Sequence, residues 1–97
     1  MEVLKKNENG KMLVQISGEM DAVTAPKVEE AIGSLEGVSE LVLDLAQVPY
    51  LSSAGIRAIL TTRMRFGKND KFSIVNIQPM VKEILDMTGT SNILGVK

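Results

Sequence analysis

Apolar residues fall along this chain in two periods, and each change of period marks an element. Val3 to Lys6 and Met12 to Ser17 read as two strands around a turn that carries Asn9-Gly10, a dipeptide that tolerates the positive φ of a tight hairpin. In the second strand Met12, Val14 and Ile16 share one face, as a half-buried strand requires. From Thr24 to Glu36, Ala25, Val28, Ile32 and Leu35 recur at helical spacing, with Pro26 near the start and Gly37 just past the end. Leu41 to Leu45 is an apolar run broken only by Asp44, the pattern of a strand buried on both faces.

A second helix is expected from Ser52 or Ser53 to about Phe66, stopped by Gly67, with Ile56, Ile59, Leu60 and Met64 inward and Arg57 and Arg65 outward. Phe72 to Ile77 reads as a strand. Pro79 opens a third helix with Val81, Ile84, Leu85 and Thr88 on one side, and Gly89 ends it. The tail Ile93 to Val96 is expected as a short strand or a packed extension. The order ββαβαβα predicts an α/β sandwich: a mixed sheet of four or five strands, covered by about three or four helices near 24–36, 54–66 and 79–88.

The 97 residues leave room for one small domain, 1–97. Hydrophobic residues make up 44% of the chain, so it folds rather than staying disordered. Absence of cysteine rules out disulfides, thiolate metal sites and cysteine nucleophiles, and absence of histidine removes the commonest general base and metal ligand. There is no Gly-x-x-x-x-Gly-Lys loop, no Gly-x-Gly-x-x-Gly and no Gly-x-Ser-x-Gly elbow. Asp21 and Asp44 are the only pair worth weighing for acid–base work, and carboxylates so placed are far more often caps or surface charges. No catalytic residue, metal ligand or cofactor is therefore assigned, and a binding protein is expected rather than an enzyme. The start lacks an apolar run behind a basic end, and no apolar stretch reaches the ~18 residues of a membrane span. The expectation is a soluble cytoplasmic protein with no membrane insertion.

Charge is segregated. Residues 19–44 carry Glu19, Asp21, Glu29, Glu30, Glu36, Glu40 and Asp44 against Lys27, a local net of −6. Residues 45–71 carry Arg57, Arg63, Arg65, Lys68 and Lys71 against Asp70, a local net of +4. Such asymmetry steers a charged partner, although solvated faces of amphipathic elements produce it too. Nucleic acid is a poor fit, since the chain is not basic overall and Phe66 is the only aromatic between Arg57 and Lys71.

The informative stretch is Pro49-Tyr50-Leu51-Ser52-Ser53-Ala54-Gly55-Ile56-Arg57. A strand ends, a loop follows, and two serines sit where a helix begins. Serine is a good N-cap because its oxygen accepts first-turn amides, worth about 1 kcal/mol. Gly55 fits less well, since glycine in a first turn costs up to about 1 kcal/mol against alanine. Without a Cβ, another chain can come close to the serines there.

Ser-Ser-Ala-Gly-Ile-Arg (52–57) behind Leu-Val-Leu-Asp-Leu (41–45) resembles the switch segment of STAS domains, the anti-sigma-factor antagonist family. Gly18-Glu19-Met20-Asp21-Ala22-Val23-Thr24-Ala25 resembles the segment before that family's first helix, and Phe72 to Gly89 its C-terminal portion. The resemblance implies a phosphoswitch. Unphosphorylated, such a protein binds a serine kinase that doubles as an anti-sigma factor and so frees a sigma factor; phosphorylation dissolves the complex, and a PP2C-type phosphatase resets it. The match implies Ser53 as the acceptor, with Ser52, where many members carry aspartate, as second choice. It implies a partner-binding surface of Asp21, Thr24, Ser52, Ser53, Ala54, Gly55 and Arg57, on a monomer or weak dimer. The loop bearing Asp21 should lie beside the start of the second helix, because both follow strands that lead into helices. Charge reversal at Asp21 is expected to weaken binding without lowering the melting temperature. A second reading uses the same loop as a constitutive docking surface, as in a STAS accessory subunit of a lipid-transport ATPase complex.

Overall fold

The computed structural model describes residues 1–67 and 71–96. Four strands and four helices follow in the order β1 (Glu2–Glu8), β2 (Lys11–Ser17), α1 (Ala25–Ile32), β3 (Glu40–Gln47), α2 (Ser53–Phe66), β4 (Phe72–Val75), α3 (Pro79–Met87) and α4 (Ser91–Leu94). The expected mixed α/β sandwich is what forms. The strands lie in sequence order, with β1 antiparallel to β2, and β2, β3 and β4 mutually parallel. Asn9 and Gly10 take φ of 50° and 86° and close the hairpin with two residues, as their tolerance of left-handed backbone allows.

Register explains the core. Met12 pairs with Leu41 and Val14 with Leu43, while Phe72 and Ile74 continue those rows on β4. This face, with Ile16 and Leu45, is buried in one cluster with Val28 and Ile32 of α1, Ile56 and Ile59 of α2, Val81 and Leu85 of α3, and Leu94 of α4. The opposite face carries Leu4, Leu13, Gln15, Val42 and Val75, and is open at Leu4, Gln15 and Val75. The expectation of a β3 buried on both faces holds at its centre, where Leu41, Val42 and Leu43 are all buried. Helices cover one side, and Val42 is shielded on the other between its strand neighbours Leu13 and Ser73.

Two helix expectations also change. The first helix ends at Ile32, where Gly33 turns to φ 65° and its amide bonds to the Glu29 carbonyl. Leu35 keeps its apolar position and packs on the core from outside the helix, so periodicity overshot the true end. In α2 the buried line is Gly55, Ile56, Ala58, Ile59 and Thr62, while Met64 is 78% exposed. Small residues let the helix lie close to its neighbours, and that line, rather than the largest apolar side chains, marks the buried face. Thr62 satisfies its hydroxyl on the Ala58 carbonyl at 2.8 Å. The tail forms α4 rather than a strand, closed by Gly95 at φ 72°.

Candidate functional site

The segments after β2 and β3 stay zipped together beyond the regular strands. Gly18 donates to the Gln47 carbonyl (2.9 Å), Met20 to Tyr50 (3.2 Å), and Ser52 back to Met20 (2.9 Å). Met20 and Leu51, both fully buried, form an isolated parallel bridge. The loop bearing Asp21 and the start of α2 therefore lie side by side at the carboxyl ends of two parallel strands, the edge at which open α/β sheets present their loops.

Gly55 locks this junction. A Cβ built there would stand 2.6 Å from the Met20 carbonyl oxygen and 2.8 Å from Met20 Cβ. Gly55 is itself buried. The close approach that a missing side chain permits is thus made by Met20 of the same chain, not by a second chain, which corrects the reading of Gly55 as part of the contact surface.

The two serines divide their work. Ser52 is the N-cap, in extended conformation, and its Oγ accepts the Gly55 amide at 3.3 Å. Ser53 is the first residue of α2, is exposed, and its hydroxyl has no hydrogen-bond partner among the described residues. The helix N-terminus concentrates unpaired amides and the positive end of the macrodipole beside it. Arg57 is exposed one turn further on.

Asp21 is a cap rather than a free charge. Its Oδ1 accepts the amides of Val23 (2.9 Å) and Thr24 (3.0 Å). In return Thr24 Oγ1 accepts the Asp21 amide at 2.9 Å and donates to the Glu19 carbonyl at 2.8 Å, a reciprocal box that starts the turn into α1. The backbone amide of Thr24, then that of Val23, hold the Asp21 carboxyl below its ordinary range. Charge reversal here breaks that box, so the expectation of an unchanged melting temperature gives way to a loss of stability. Asp44 is likewise held locally, its Oδ1 accepting the Ala46 amide at 2.9 Å.

A groove of about 330 Å³ runs between α1 and α2 beside Ser53. Its lining includes Ala22, Ala25, Ala54 and Ala58, with Glu29 from α1 and Arg57 from α2. The acidic and basic segments of the sequence thus meet across one cleft. Sequence reasoning missed the groove, although Ala54 and Ala58, one turn apart on α2, were a signal for it.

Over residues 2–97 the sequence matches the STAS domain family. The chain belongs to that family. It is 37% identical over 71 residues to the anti-sigma-F factor antagonist RsfB of Mycobacterium tuberculosis, an alignment covering 71% of this chain and 58% of that relative. Thus the match spans less than two thirds of RsfB. The anti-sigma-B factor antagonist of Staphylococcus epidermidis is 29% identical over 86 residues, covering 86% of this chain and 80% of that one. An anti-sigma factor antagonist from Mycobacterium paratuberculosis superposes with a TM-score of 0.86 at 32% identity, over 98% of this chain and 83% of that structure. No helix among the described residues is long and apolar enough to cross a membrane.

Proposed function

We propose that this STAS domain is an anti-sigma-factor antagonist that works as a phosphoswitch. Unphosphorylated, it binds an anti-sigma serine kinase and frees a sigma factor; phosphate on Ser53 ends the complex, and a PP2C-type phosphatase restores it. The observation that carries the choice of residue is the division between the serines: Ser52 is spent on its cap, whereas Ser53 presents an exposed, unbonded hydroxyl at the first position of α2. The names of the relatives supply the class of partner.

The physical argument is an asymmetry. On the free domain a phosphate at Ser53 meets the helix N-terminus and lies within reach of Arg57, one turn on, so the fold accommodates it. Pressed into an interface without a matching cation, the same dianion costs several kcal/mol. Ser53, Ala54, Arg57 and the adjoining groove form the partner-facing surface, while Asp21, Thr24, Ser52 and Gly55 shape it from within.

The test is phosphopeptide mapping of the native protein after incubation with its kinase and ATP, paired with kinase affinity of Ser53→Asp, Ser53→Ala and, as control, Ser52→Ala. Label is expected at Ser53. Ser53→Asp should lose at least about tenfold in affinity, about 1.4 kcal/mol, while Ser53→Ala binds and is not released. The reading fails if neither serine takes label and Ser53→Asp binds as tightly as wild type. That result would favour the constitutive docking subunit.

A further inference from the structure

β1 lies at the edge of the sheet, so one side of its backbone presents N–H and C=O groups with no strand beside them among the described residues. Glu2, Leu4, Lys6 and Glu8 share the open face of the sheet, and Leu4 is 56% exposed there. Charged residues on an edge usually discourage pairing with other chains. Here their spacing discourages every central register but one.

Two copies of β1 can pair antiparallel about a two-fold axis only if that axis passes through a residue, because facing residues must point to the same side. Centred on Lys5, the pairing sets Glu2 against Glu8 twice and Lys5 against itself. Centred on Lys6, it sets Lys6 against itself and Leu4 against Glu8. Centred on Val3 or Asn7, it shortens the overlap, and the latter runs into the turn at Asn9-Gly10. Centred on Leu4, it sets Glu2 against Lys6 twice, stacks Leu4 on Leu4, and lays the Lys5 stem along Val3 of the other copy. Opposite charges directly across a ladder stabilise it and like charges destabilise it. The Lys6–Glu8 ion pair within β1, at 3.2 Å between well-exposed groups, is too weak to hold Lys6 from a new partner.

We propose that β1 is a self-association edge, pairing with β1 of a second copy about a two-fold axis at Leu4 and joining two four-stranded sheets into one. The contact is a single strand pair and falls in the small, transient class of interfaces. It lies on β1, away from the α2 surface assigned to the kinase, and stands or falls independently of that function.

The chain has no cysteine, so one introduced thiol reports register. Directly opposed residues of an antiparallel pair have Cα atoms about 4.5–5.5 Å apart, within disulfide range. In the proposed register two copies of residue 6 stand about 14 Å apart, at ~3.4 Å per residue along the strand. Under mild oxidation Leu4→Cys is expected to form disulfide dimers and Lys6→Cys to stay monomeric. Sedimentation equilibrium over a concentration series should show Glu2→Lys weakening self-association on the order of tenfold, with Glu2→Lys combined with Lys6→Glu restoring it. The proposal is overturned if Leu4→Cys stays monomeric, if both thiol variants cross-link at equal rates, if Lys6→Cys alone cross-links, or if the charge swap is as weak as Glu2→Lys.

Discussion

Replacing Gly55 with alanine adds a single methyl group at the tightest point of the molecule. The new Cβ would sit 2.6 Å from the Met20 oxygen and 2.8 Å from Met20 Cβ, distances that backbone must move to relieve. The atoms it meets belong to a fully buried residue bonded to Tyr50 and Ser52, so the start of α2 has to lift away from the β2–α1 loop. Overpacking of this kind costs about 1–3 kcal/mol, and the better helix propensity of alanine returns up to about 1 kcal/mol. The expected net loss is about 1–2 kcal/mol, a fall of roughly 5–15 °C in melting temperature for a chain of this size. Urea and thermal unfolding followed by circular dichroism measure it, and amide exchange localises it, since the Ser52 amide that bonds Met20 should exchange faster. Gly67→Ala is the control. Gly67 has φ 85° and open space around a built Cβ, so alanine there is strained by backbone alone and should leave Ser52 exchange unchanged. A Gly55→Ala protein as stable as wild type, with the Ser52 amide equally protected, would refute the account of the junction.

Ser52→Ala should cost about 1 kcal/mol through loss of the cap, whereas Ser53→Ala should stay within about 0.5 kcal/mol of wild type; urea midpoints compare them, and equal losses would contradict the division of roles. Because the folded Asp21 carboxyl titrates below its ordinary value, the unfolded chain binds that proton first. The stability it contributes is therefore complete above about pH 4 and drains away as the pH falls through the folded value. Asp21→Asn should be less stable than wild type at neutral pH, with the gap between their urea midpoints narrowing as the pH drops below about 4. On α2, Met64→Lys should be neutral within about 0.5 kcal/mol, while Ile59→Ala should cost about 2–5 kcal/mol; a Met64→Lys loss as large as that of Ile59→Ala would restore the inward Met64 that periodicity alone proposed.

Local chemistry made much of this protein legible in its sequence. Asn9-Gly10 specifies the hairpin by backbone conformation, Pro79 and Gly89 bound α3, and alternation in Met12, Val14 and Ile16 orients β2, because each depends on residues a few positions apart. The resemblance of residues 52–57 to the STAS switch also rests on contiguous residues. What lay beyond reach depends on residues far apart in sequence. The inward face of α2 was set by how closely its small residues approach other elements, so Met64 turned outward against its hydrophobicity. Whether Asp21 is a surface charge or a cap, and which serine is spent on the helix, follows from hydrogen bonds whose geometry only the folded loop defines. Gly55 shows the boundary most clearly. Its sequence position said that a side chain was unwanted, but only the packing of Met20, thirty-five positions earlier, decided that the excluded volume belongs to the chain itself.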